Sequence, residues 1–207
     1  MRHSFKLLAC LSVSSSLLIA LPSNAQTTCA SGGLSAATLI GYGSTGCSIG
    51  DAIYYDFSFT GFNPSSSFGF SNVSSTDHIF GGQSLALTKP ASYNYKVKIA
   101  PGSPNLFYGY ITDSSGGFGF NATNTLTAAG GGTVTSSNGN LSTPYFFSPS
   151  TPGPLAFTAT ITPVSGTFNS FSDTIVQEEV PGPLPLLGAG VAFGFSRKLR
   201  QRVKTSS

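Results

Sequence analysis

The chain has 207 residues, enough for a folded core, and 40% of them are hydrophobic and 12% aromatic, which excludes a disordered polymer. Only 8% are charged, and the formal charge of +3 hides a segregation of signs. All seven acids (Asp51, Asp56, Asp77, Asp113, Asp173, Glu178 and Glu179) lie between residues 26 and 180, against Lys89, Lys96 and Lys98 alone, so that stretch is net acidic and nucleic acid is excluded as a partner.

The first 25 residues read as an address. Arg2, His3 and Lys6 make a basic start, and Leu7 to Leu21 is apolar, softened by Ser12 and Ser14 to Ser16. Ser23-Asn24-Ala25 then has the small-x-Ala pattern cut by signal peptidase. The pattern predicts a signal peptide over 1–25, cleaved between Ala25 and Gln26. Cys10 precedes most of the apolar run rather than following it, which argues against a lipidated cysteine, and it leaves with the signal. Cys29 and Cys47 remain as an even pair in an exported chain, with one possible connectivity, so they are expected to form a disulfide. A redox pair needs closer spacing, and a zinc site needs two further ligands.

From 26 to 179 the residues alternate with the period of strands. Ile53, Tyr55, Phe57 and Phe59 fall on one face of a segment whose other face is Tyr54, Asp56, Ser58 and Thr60. Tyr93, Tyr95, Val97 and Ile99 alternate with Asn94, Lys96 and Lys98, and Leu155, Phe157, Ala159 and Ile161 with Ala156, Thr158, Thr160 and Thr162. Segments 106–112 and 168–176 are less regular but still β-like. Turn chemistry separates these runs at Phe62-Asn63-Pro64, Lys89-Pro90, Pro101-Gly102, Ser115-Gly116-Gly117 and Asn138-Gly139. No stretch has a helical period. The expected fold class is all-β, an antiparallel β-sandwich or jelly roll over 26–179. Within it 128–154, rich in Gly, Ser, Thr and Pro, is expected to be a long mobile loop.

Candidates for chemistry are few. His78 is the one histidine after the signal, and its neighbour Asp77 would point to the opposite face of a strand, so His78 is expected in a loop or on the surface. No Gly-x-Ser-x-Gly elbow, His-Glu-x-x-His pair or phosphate-binding glycine loop occurs, and no catalytic residue is assigned. A hydrolase or lyase would need two facing carboxylates, with Asp56 and Asp113 the candidates. A calcium site would draw on Asp51, Asp56 or Asp113, but no Asp-x-Asp-x-Asp loop exists, and neither a metal nor a cofactor is expected. Tyr (8) and Phe (17) fall mostly on inward faces, and Trp, the best stacking residue for sugars, is absent.

The last 28 residues have three parts in order: Val180-Pro181-Gly182-Pro183, an apolar run from Leu184 to Phe195, and a tail with Arg197, Lys198, Arg200, Arg202 and Lys204. Basic residues flanking an apolar segment stay on the cytoplasmic side. The order resembles the PEP-CTERM sorting signal, in a cyanobacterial-type variant in which Gly182 stands where Glu is usual. The resemblance implies a motif over 180–183, a transmembrane helix over 184–196 and a membrane-stop tail over 197–204. It also implies that the chain is a substrate of an exosortase, a membrane transpeptidase resembling cysteine proteases. Pro181, Pro183 and Pro185 keep the motif from helix formation and leave it extended for a protease. Twelve apolar residues rise about 18 Å as a helix against a hydrocarbon core of about 30 Å. Counting from Val180 to Ser196, with Arg197 and Lys198 snorkelling, narrows the gap. The stretch from Cys29 to Phe59, with Gly46-Cys47-Ser48-Ile49-Gly50-Asp51, is similar to the start of other exported PEP-CTERM proteins and implies a shared β-domain without a known activity.

The expected protein is exported, tethered to the membrane and then placed at the cell surface or in the extracellular matrix. Its role is structural or adhesive, with no enzymatic activity. Signal peptidase, exosortase, the membrane and exopolysaccharide are its expected partners. Two readings stay open beside it: a calcium- or glycan-binding lectin-like module, and a polysaccharide-acting hydrolase or lyase.

Overall fold

The computed structural model describes residues 26 to 117 and 119 to 180. The signal expected over 1–25, Pro181, Gly182 and Pro183 of the motif, the apolar segment 184–196 and the basic tail 197–204 lie outside the described residues. Among the described residues no helix is long and apolar enough to cross a membrane.

The elements in chain order are α1 (Ala36–Gly41), β1 (Cys47–Ile49), β2 (Ala52–Thr60), β3 (Ser67–Asn72), β4 (Asp77–Gln83), β5 (Ala91–Ile99), β6 (Asn105–Gly116), β7 (Asn121–Ala128), β8 (Thr133–Ser137), β9 (Tyr145–Thr151), β10 (Leu155–Ser165) and β11 (Phe168–Glu179). They make two antiparallel sheets, ordered β1-β2-β5-β10-β7-β8 and β3-β4-β11-β6-β9. Hairpins β1–β2, β3–β4 and β7–β8 stay within a sheet, and the other connections pass from one sheet to the other. The crossings bring chain-distant strands side by side, so that β5, β10 and β7 form the centre of one sheet and β4, β11 and β6 that of the other.

Each sheet turns one face of its period-two pattern inward. Tyr93, Tyr95 and Val97 of β5 and Leu155, Phe157, Ala159 and Ile161 of β10 are buried, as their alternation predicts. The core between the sheets is aromatic. Phe80 on β4 has the rings of Phe57, Phe68, Phe70, Tyr93, Tyr95 and Phe171 around it, with centroids 5.1 to 6.2 Å away. Offset and edge-on ring pairs add about 0.5–1.5 kcal/mol each to the burial of their area.

The structure corrects four expectations. In β2 Phe57 and Phe59 turn to the core and Ile53 is buried, as expected, but Tyr54 is inward instead of Tyr55, which is half-buried with the Lys98 ammonium 4.9 Å from its ring centroid. The cause is a register shift between Tyr55 and Ser58, with Asp56 at φ 53°, which puts one extra residue into the strand and reverses its phase. The 128–154 stretch is no long loop. It carries β8, paired with β7, and β9, paired with β6, and it buries Val134 and Phe147. Its Thr-rich composition resembles a loop's, but Thr133-Val134-Thr135 is a period-two strand pattern. One helical turn exists where none was expected: Ser35 caps α1 by accepting the Thr38 N–H, and Leu39 is buried. Six residues are too few to show a helical period. Finally, His78 is neither in a loop nor on the surface, but fully buried within β4.

Candidate functional site

The outer face of the six-stranded sheet is a lattice of hydroxyls. Strands β10, β7 and β8 each present alternate Thr or Ser residues, and their registers align them in rows: Thr158–Thr127–Thr133, Thr160–Thr125–Thr135 and Thr162–Thr123–Ser137. The first two rows continue onto β5 and β2 through Asn94–Ser58 and Ser92–Thr60. Neighbouring groups are about 4.8 Å apart across the strands and about 6.8 Å apart along them. Their inward neighbours Phe157, Ala159, Ile161, Leu126 and Val134 are buried in the core, so the face is held by packing beneath it. Thr127 and Thr133 share a hydrogen bond of 2.9 Å, and Thr125 and Thr135 one of 3.2 Å. The rows carry no charge. Such a face sets hydrogen-bond donors and acceptors side by side in regular rows.

The five-stranded sheet has a groove of about 340 Å³ on its outer face. One cross-strand row of its floor reads Gly69, Gly81, Ser172 and Asp113. A Cβ on Gly69 would stand 2.4 Å from the Ser31 carbonyl oxygen, so the missing side chain lets the 31–32 backbone lie over β3. Asp113 is the single carboxylate lining the groove, and one of its oxygens accepts its neighbour Ser114's N–H at 2.7 Å. Asp56 belongs to the other sheet, where it pairs with Lys96 at 3.0 Å with both side chains well exposed. The two carboxylates that a hydrolase reading would bring together therefore sit on different sheets.

A polar cluster closes one end of the sandwich around His78. Its Nδ1 is 2.6 Å from the Asn72 Oδ1, and its Nε2 is 3.3 Å from an Asp51 oxygen and 3.4 Å from the Gln177 Oε1. Asp51 also accepts from the Ser103 hydroxyl and, at 2.9 Å, from the Asn105 Nδ2. Gly50, at φ +57°, brings the β1–β2 turn against the imidazole: a Cβ there would lie 2.6 Å from His78 Cε1. The serine bonds the carboxylate and not the imidazole, so the order of a catalytic triad is not met.

A second polar cluster lies inside the core. Asp173 of β11 is fully buried, and its carboxylate accepts the hydroxyls of Tyr93 (2.7 Å), Tyr95 (3.3 Å) and Thr112 (2.7 Å). The Asn124 Nδ2 donates to the same Thr112 oxygen at 2.7 Å. The Asn124 Oδ1 and the Tyr54 hydroxyl are buried and find no partner among the described residues. Burial pushes the Asp173 pKa up to about 7, and the Thr112, Tyr93 and Tyr95 hydroxyls pull it back only in part. The same burial, with the Asp173 charge beside them, lifts the Tyr93 and Tyr95 phenols well above their ordinary range. Asp173 is thus a fully buried carboxyl that ionises only near neutrality.

Cys29 and Cys47 form the expected disulfide, with Cα atoms 4.9 Å apart, and the Cys29 N–H donates to the Ser48 carbonyl. The Gln26 side chain donates to the carbonyls of Thr45 (2.9 Å) and Gly46 (2.7 Å). Ala25 lies outside the described residues. Val180 is exposed, with its N–H on the Pro104 carbonyl, where β11 leaves the sheet beside β6. Among the described residues no three His, Cys, Asp or Glu side chains gather to hold a metal. Asp51, one of the calcium candidates, is engaged by Ser103, Asn105 and His78 instead. Both polar clusters were missed in the sequence, yet a signal for each is there. Asp173 shares the phase of Phe171 and Ile175, and His78 that of Phe80, so each places a titratable group on an apolar face. No family model, curated protein or solved structure matches the chain.

Proposed function

We propose that this is an exported protein of the cell surface or extracellular matrix, sorted by an exosortase and serving a structural or adhesive role. The observation that carries the sorting half is the C-terminal order of Val180-Pro181-Gly182-Pro183, a charge-free apolar run and five basic residues. It gives a protease an extended motif, held at the membrane by a short helix and a cytoplasmic tail that cannot cross. The adhesive half is supported by the hydroxyl lattice on β10, β7 and β8. A glycan strand also presents hydroxyls at regular intervals, and an uncharged array is suited to a neutral polysaccharide. The jelly-roll-like ectodomain then begins at Gln26 and ends beside the motif, with the disulfide pinning its first segment to β1.

A lectin-like reading remains beside it, favoured by the exposed Tyr108 and Phe146 rings, 5.0 Å apart on β6 and β9. One tilted ring pair offers a landing place for a single sugar, whereas the lattice spans three strands.

The sorting reading is tested by moving 180–204 onto an unrelated exported reporter in a host with an exosortase. The reporter should pass through a membrane-bound form and then be released without the tail. With Arg197, Lys198, Arg200, Arg202 and Lys204 all changed to Gln, the membrane form should not accumulate. Release that is unchanged when the exosortase is deleted would refute the assignment.

A further inference from the structure

We propose that Thr112 and Asn124 condense in the folded protein to an ester that ties the two sheets together, with Asp173 relaying the proton. Thr112 points inward from β6 of one sheet and Asn124 inward from β7 of the other, and neither is exposed to solvent. The Asn124 Nδ2 donates to the Thr112 oxygen at 2.7 Å, so the carboxamide carbon is one bond further off, and a turn about the Asn124 Cβ–Cγ bond brings its face to the hydroxyl. On its other side the same hydroxyl donates to Asp173 at 2.7 Å, so a proton acceptor is in place for the nucleophile. The Asn124 Oδ1 finds no hydrogen-bond partner among the described residues, although it is buried. Leaving that oxygen bare costs about 1–3 kcal/mol, which a new bond at the same carboxamide would remove. In a condensation it is the atom on which negative charge develops.

The reaction balances without a co-reactant. The Thr112 Oγ1 attacks the Asn124 Cγ while its hydroxyl proton passes to Asp173. Once Asp173 is protonated it no longer accepts from the Tyr93 hydroxyl, whose other neighbour is the Asn124 side chain, so a donor is released beside the reacting carboxamide. The Cγ–Nδ2 bond then breaks, Asp173 gives its proton to the departing nitrogen, and ammonia leaves. One C–O bond forms, one C–N bond breaks, and nothing is oxidised or reduced. The affinity of Asp173 for its proton, poised near neutrality by burial, suits both transfers. The rings of Tyr93, Tyr95 and Phe171 keep water from the product, and escape of ammonia to the solvent makes the step irreversible.

The test is a peptide map of the full chain, purified and then denatured. Intact mass alone does not decide, because cyclisation of an N-terminal Gln26 or of Asn138 next to Gly139 also loses one ammonia. Chymotrypsin cuts after Tyr110, Phe118, Phe120 and Leu126, which separates Thr112 from Asn124. The expected product is a branched peptide joining 111–118 to 121–126, lighter by one ammonia and split by hydroxylamine. Two linear peptides, with the Asn124 amide intact, would overturn the proposal, and this needs no variant. Thr112→Val and Asp173→Asn should each give linear peptides. A branched peptide formed to the same extent in Asp173→Asn would overturn the relay.

Discussion

Replacing Asp173 by Asn should change how stability depends on pH. The carboxyl ionises near 3.8 in a free chain and near 7 in the folded protein, because the core does not solvate its charge. Below pH 3.8 both states hold the proton, and the folded state has no penalty. Between 3.8 and 7 the unfolded chain releases its proton and the folded chain keeps it, so stability falls by about 1.4 kcal/mol per pH unit. Above 7 the loss levels off at about 4 kcal/mol, a large share of the 5–15 kcal/mol that holds a typical domain. Urea unfolding followed by tyrosine fluorescence, the chain having no Trp, measures this at pH 4 to 8. The wild-type protein should lose stability relative to Asp173→Asn as pH rises. Only the slope of the difference matters, since the variant also changes hydrogen bonds and the proposed ester, which shifts its whole curve. Parallel curves would refute the reasoning. A wild type that gains on the variant with rising pH would show that the Tyr93, Tyr95 and Thr112 hydroxyls outweigh burial.

Four further outcomes follow from the geometry. Changing Cys29 and Cys47 to Ala opens a loop with a sequence separation of 18 and should lower stability by about 3 kcal/mol in denaturant unfolding. Gly50→Ala places a Cβ against the His78 ring at a positive φ and should cost about 1–3 kcal/mol in a thermal melt. Gly102→Ala, at φ +85° with nothing within 4 Å, meets only the backbone strain and should cost less. Thr125→Glu with Thr160→Glu sets like charges directly opposite on β7 and β10 and breaks the Thr125–Thr135 bond, so it should cost about 1–2 kcal/mol while the protein stays folded, and it should abolish retention on immobilised neutral exopolysaccharide. Unchanged retention would remove the lattice from the adhesive reading.

Much of the fold was legible because period two is a direct signature of a half-buried strand. β5 and β10 keep an unbroken alternation, and their inward residues are those the pattern names. β2 failed for a local reason: a bulge at Asp56 inserts one residue, and alternation has no marker for an insertion. β8 and β9 were hidden by composition, since Thr and Ser serve strand faces and loops alike. The disulfide was legible from parity alone. The two buried clusters were not, because their partners are far apart in the chain: Asp51, His78 and Gln177 meet only when the β1–β2 turn, β4 and β11 converge. Thr112, Asn124 and Asp173 meet only when β6, β7 and β11 bring the sheets together. Sequence phase can show that a polar residue faces inward, but not what it finds there.

The proposed sorting has this chain exported and then separated from its C-terminal tail. The most direct measurement is mass spectrometry of both chain ends on protein recovered from its native host, in the membrane and extracellular fractions separately. The account predicts an extracellular form that begins at Gln26 and ends between Pro181 and Pro183. A chain that keeps everything through Ser207 in every fraction would contradict it and leave the tail as a plain anchor.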